Sequence, residues 1–169
     1  MSMSADHKPM PVNEETGEVE VITPELEEAR SYSDLSRRDI RALIFHYLYA
    51  AEAYDYDVSL DAIVDNFNRG FEWDVPLNSE AVEIAQAVIG DREALDKIYE
   101  PLLTNWRFDR VSVCTKLILR LAIWELQHTD TDPRIIINEA IELAKCFAEK
   151  DAFRFINGIL DKAVKQVKE

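Results

Sequence analysis

Glycine is scarce in this chain, four residues in 169. So few leave little material for the tight, positive-φ turns of a β-sandwich or barrel, and they point to helices. Cysteine is nearly missing as well. Cys114 and Cys146 sit on helical patterns with no Cys-x-x-Cys or Cys/His ligand spacing, which excludes a disulfide scaffold and a sequence-encoded zinc site. They read as buried free thiols of a reducing compartment. No run of about 18 apolar residues is available to span a bilayer, and no cationic stretch followed by an apolar one opens the chain. A cytoplasmic protein without a membrane partner is expected. Also lacking are a Gly-rich phosphate loop, a Gly-x-Ser-x-Gly elbow and a Ser/His/Asp set. The three histidines, His7, His46 and His128, are scattered. Neither an enzyme, a cofactor nor a metal is expected.

What is present is a sequence of ordinary globular texture, 47% hydrophobic and 31% charged, long enough to bury roughly two-thirds of its unfolded surface. The charge is lopsided. Thirty-three carboxylates against nineteen Lys and Arg leave a net charge of -14, which repels a phosphate backbone unless the basic groups share one face.

Three of the six prolines lie in residues 1–30, together with Glu14, Glu15, Glu18, Glu20, Glu25, Glu27 and Glu28. Few large apolar residues separate them, so burial does not offset the entropy of ordering the segment. Residues 1–35 are therefore expected to be a disordered acidic tail, and 36–169 a helical domain.

From Ser36 onward the apolar residues repeat at three- and four-residue steps. Ser36 with Asp39 resembles a capping box, opening a first helix that carries Ile40, Leu43, Ile44, Tyr47 and Leu48 to about Ala53. A second helix is predicted over Leu60–Asn68, ending near Arg69 and Gly70. Ser79 caps a third that stops at Gly90, and Asp91 a fourth that reaches Leu103 with Pro101 terminating or kinking it. Asp109 is expected to cap a long, very apolar fifth helix, Val111–Gln127, at the centre of the fold. Asp132 and Pro133 form an N-cap and first-turn proline for the sixth, and Asp151 opens the seventh. The prediction is an all-α fold of about seven helices.

The charge is unevenly spread along those helices. Residues 50–104 hold thirteen acidic and three basic side chains, whereas residues 134–169 hold six and seven. Arg37, Arg38 and Arg41 cluster in the first turns of helix one. Lys150, Arg154, Lys162, Lys165 and Lys168 mark the end of the chain. If those regions meet, a basic face with Tyr47, Tyr49, Phe153 or Phe155 nearby would take phosphates on Arg and stack unpaired bases on rings, as single-stranded RNA requires.

Residues Ile137–Lys162, INEAIELAKCFAEKDAFRFINGILDK, join two amphipathic helices through a tight acidic turn. The stretch resembles the C-terminal signature of the NusB family of transcription antitermination factors. The likeness extends over about Ser36–Lys165, with weaker echoes in the arginine-bearing start of helix one and in KLILRLAIWEL. It implies two three-helix bundles and a role without catalysis. That role is binding boxA-type RNA together with the ribosomal protein NusE, in the transcription elongation complex. By position, the resemblance assigns Arg37, Arg38, Arg41, Arg154 and Phe155 to RNA, and Tyr49 and Asp151 to the partner. Within the motif, Asn138 and Asn157 read as helix-end hydrogen bonders and Gly158 as a site of close helix packing. The competing reading of the acidic middle helices is a module that binds a basic protein without RNA.

Overall fold

The structure, a computed structural model, describes residues 31–104 and 107–167. The segment 1–30 and Lys168 lie outside the described residues. Within them there are seven α-helices, three short 3-10 turns and no strand. The helices are α1 Arg37–Ala53, α2 Leu60–Phe71, α3 Glu80–Gly90, α4 Arg92–Tyr99, α5 Val113–His128, α6 Pro133–Phe147 and α7 Ala152–Val167.

Local chemistry sets most of their starts. Ser36 accepts from the Asp39 backbone N–H while the Asp39 carboxylate accepts from the Ser36 N–H, a complete capping box. Ser59 and Ser79 each accept from the backbone three residues on, and Asp132 caps α6 with Pro133 at its first position. Two predicted caps are different. Asp91 makes no side-chain cap bond, because it also closes α3. Asp109 is taken into a 3-10 turn, Phe108–Arg110, and Ser112 caps α5 instead by accepting from the Thr115 N–H. Helix α4 stops at Tyr99, and a 3-10 turn, Glu100–Leu102, accommodates Pro101.

Helices α1, α2 and α3 pack together as one bundle, and α5, α6 and α7 as another. Helix α4 bridges them, lying against α3 on one side and α5 on the other. Helix α5 also meets α1. Its run Leu117, Ile118, Leu119, Leu121, Ala122 and Ile123 is buried on successive faces, as a helix apolar all round must be.

Residues 31–35, which composition groups with the tail, fold onto this body. The Tyr32 N–H donates to the Asp74 carboxylate at 2.8 Å, and the Tyr32 hydroxyl accepts from the Ala81 N–H at 3.2 Å. Three further expectations change. Cys114 is half-buried and Cys146 exposed, so only the first approaches a buried thiol. An added Cβ at Gly158 meets nothing within 4 Å, so close packing is not what places glycine there. No side-chain hydrogen bond from Asn138 or Asn157 to a helix end is seen among the described residues.

His46 lies inside the first bundle's seam with the second. Its ring stands edge-on to Phe147 at 5.0 Å, and its Nε2 is buried without a hydrogen-bond partner. Burial pushes it down from the usual 6.5 to about 4. The folded state thus holds His46 neutral where the unfolded chain protonates it. Its stabilising effect is complete above pH 6.5 and is lost as pH falls toward 4. At about 1.4 kcal/mol per pH unit, the loss is on the order of 3 kcal/mol. Urea unfolding between pH 7 and 4 should show this component in the native protein and lack it in His46→Leu.

Candidate nucleic-acid interface

The first turns of α1 put three arginines on one side of the molecule, each opposite a carboxylate from another helix. Arg37 meets Glu80 of α3 at 2.8 Å, with 75% and 51% of the two side chains exposed. Glu80 holds the Arg37 guanidinium above its ordinary range through that hydrogen bond. Arg38 reaches Glu139 of α6 with both Nε and Nη2 at 3.2 Å. Arg41 is different in kind. It pairs with Glu125 of α5 at 2.9 Å, and only 12% and 11% of those side chains are exposed. Burial raises the Glu125 carboxyl, opposed by its bonds to Arg41.

These residues rim a cleft of about 360 Å³ whose apolar wall includes Ile40, Ile84 and Ile135. Ile135 is half-exposed. An exposed ion pair is worth roughly 0.2–1 kcal/mol, so an anion can take Arg37 from Glu80 at small cost. Arg38 is 54% exposed but its partner Glu139 only 16%, so that exchange costs more. A buried pair broken on one side costs roughly 3–5 kcal/mol, so Arg41 stays with Glu125.

A second group lies at the other end of α1. Tyr49 is twelve positions beyond Arg37 in the same helix, about 18 Å at 1.5 Å per residue. Its ring is 6.3 Å from Phe45, which stacks on Phe147 at 4.6 Å and so ties α1 to the end of α6. Burial raises the Tyr49 hydroxyl, with the Cys114 thiol adding to it. The turn after α6 carries Lys150 and Asp151, the latter with left-handed backbone at φ 70. Asp151 and Phe155 line a cleft of about 190 Å³ with Arg110, Ser112 and Lys150. Arg154 is exposed on α7, its guanidinium 5.6 Å from the Phe153 ring.

Five of the seven predicted site residues therefore fall into two clefts on the helical framework. Arg37, Arg38 and Arg41 share one cleft, Asp151 and Phe155 another, and Tyr49 and Arg154 stand apart from both. Sequence reading missed the three carboxylates that hold the arginines and missed Arg110 in the second cleft. Glu139 carried a weak signal, since it stands in the INEAIEL motif.

Residues 38–165 match the family model described as the NusB family. This stretch runs from α1 to α7. The chain belongs to the NusB family.

Relatives bear this out. A transcription antitermination protein NusB of Staphylococcus haemolyticus is 35% identical over 127 residues, 75% of this chain and 97% of the relative. That of Geotalea uraniireducens is 39% identical over 133 residues, 75% and 92%. Among solved structures, T. maritima NusB superposes with a TM-score of 0.68 at 28% identity, covering 78% of this chain and 92% of that one. The NusB match takes in Arg38, Arg41, Tyr49, Asp151, Arg154 and Phe155, whereas Arg37 stands immediately before it. Among the described residues, no helix is long and apolar enough to cross a membrane, and no group of three metal-ligating side chains comes together.

Proposed function

We propose that this NusB-family chain is a cytoplasmic, non-enzymatic transcription antitermination factor. It binds boxA-type single-stranded RNA together with NusE and acts in the elongation complex. In this reading Arg37, Arg38 and Arg154 contact phosphates, and the half-buried Phe155 ring stacks on a base. Tyr49 and Asp151 face the protein partner. Arg41, assigned to RNA by the resemblance, contributes by fixing the cleft floor through Glu125. The observation that carries the reading is the exposure of the Arg37 and Arg38 side chains, 75% and 54%, where the family-matching stretch begins, with the Arg37–Glu80 pair open to exchange.

The net charge of -14 favours a second reading, an acidic helical module that binds a basic protein without RNA. Binding of a boxA-type RNA at two salt concentrations, with and without NusE, separates the two. Salt-sensitive RNA binding that strengthens with NusE supports the first. Binding of NusE with no gain in RNA affinity replaces it with the second.

A further inference from the structure

Four rings form a line from the core to the surface at the end of α2. Tyr47 is fully buried, Phe67 stands edge-on to it at 5.4 Å, Phe71 follows at 5.7 Å, and Trp73 at 5.2 Å. The outer end of this line is open. Phe71 is 43% exposed and, six positions on, Leu77 is 52% exposed. Large apolar side chains at that exposure lose burial energy unless something covers them.

The segment that displays them is held firmly. The Asn68 side chain donates to the Val75 carbonyl at 3.0 Å and accepts from the Val75 N–H at 3.1 Å. The Trp73 N–H donates to the Asn68 carbonyl, and the Ser79 N–H to the Pro76 carbonyl. Val75 is buried beneath, and Asp74 is tied to Tyr32. A rim of this kind is ordered before any partner arrives, so docking costs little further ordering.

The surroundings are acidic. Between residues 60 and 90 there are six carboxylates and one cation, Arg69. Arg69 is itself paired with Asp65 at 2.9 Å. Glu72 and Asp74, beside Phe71 and Trp73, are exposed.

We propose that the rim Phe71–Leu77 is a docking surface for a lysine- or arginine-rich protein segment that inserts a leucine or aromatic anchor against Phe71 and Trp73. Charge complementarity selects this occupant. A second copy of the chain would bring two acidic rims together, and nucleic acid would meet carboxylates. The surface is separate from the arginine cleft, so it operates whether or not the chain binds RNA.

The test uses the full chain, isotope-labelled, and a synthetic amphipathic Lys/Leu peptide carrying one Phe. Its controls are the same peptide with Leu and Phe replaced by Ser, and an acidic counterpart. The proposal expects saturable, salt-sensitive binding of the first peptide alone, with amide shifts confined to about residues 67–78. Phe71→Ser with Leu77→Ser should weaken it about tenfold or more, as losing an anchor does. Unchanged amide spectra elsewhere show that this variant remains folded. Equal binding of all three peptides, shifts elsewhere, or unaltered affinity of the double variant overturns it. So does a concentration-dependent dimer, or a shift of residues 1–30 in the peptide-free variant, since each identifies another occupant.

Discussion

Replacing Arg120 with alanine is expected to destabilise the fold by about 3–5 kcal/mol, the cost of stripping one partner from a buried ion pair. Arg120 is only 7% exposed. Its Nε and Nη2 donate to the two oxygens of Asp96 at 2.7 and 2.8 Å, and its Nη1 lies 3.4 Å from Glu52 and 3.3 Å from the Tyr56 hydroxyl. That hydroxyl in turn donates to Glu52. The Arg92 guanidinium covers the Tyr56 ring at 4.0 Å. Burial opposes the charge on Arg120, yet the bonds to Asp96 outweigh it and push the guanidinium up. Burial and the bond to Glu52 push the Tyr56 hydroxyl to about 12, so it stays a donor at any physiological pH. One side chain thus joins α5 to α4 and to α1. At roughly 2–4 °C per kcal/mol for a domain of this size, the melting temperature should fall by about 10 °C. A loss below about 1 kcal/mol in urea would mean that the cluster is as wet as a surface pair. Replacing Arg120 and Asp96 together by Met and Leu should cost much less than alanine alone, because the buried Asp96 charge is no longer stranded and Glu52, 31% exposed, keeps its bond from Tyr56.

The Arg37→Ala, Arg38→Ala double variant should lower stability only modestly, since Arg37 and Glu80 are both exposed and only Glu139, 16% exposed, is left without its arginine in a largely buried position, and it should lose RNA affinity. If two phosphates are released, the slope of log affinity against log salt falls by about 1.4 for a single strand. An unaltered slope would remove both residues from the interface. Arg41→Ala should behave in the opposite way. It strands Glu125 and lowers stability by about 3 kcal/mol or more, so its effect on RNA is readable only at a temperature where the variant is fully folded.

These contrasts show where the amino-acid sequence was informative. Helix starts were legible wherever a Ser or Asp stood alone before an apolar repeat, as at Ser36, Ser79 and Asp132. The start of α5 differs from the expected one because Asp109 and Ser112 both qualify as caps, and only the 3-10 turn that takes up Asp109 decides between them. The centrality of α5 followed from apolar residues on every face. The arginine cluster was visible as a run, but its partners were not. Glu125 and Glu139 are 84 and 101 positions from the arginines they hold, and no local pattern announces a contact of that range. The same blindness hid the distinction between Arg41, locked under the cleft, and its two exposed neighbours. Exposure of Cys146 and the open space around Gly158 depend on how α6 and α7 face each other, which a single helical period does not specify.

Because Arg37 and Arg38 already hold carboxylates, any anion arriving there takes part in an exchange, not a capture. A lone phosphate must displace Glu80 or Glu139 and gains little more than the intramolecular carboxylate already supplied. A strand bearing several phosphates would displace both at once, its second contact forming at the high effective concentration set by the first. Under the proposed function the resident glutamates would set a threshold that favours polymers over free phosphate and nucleotides, a filter on valence built from the ion pairs at the rim of the cleft.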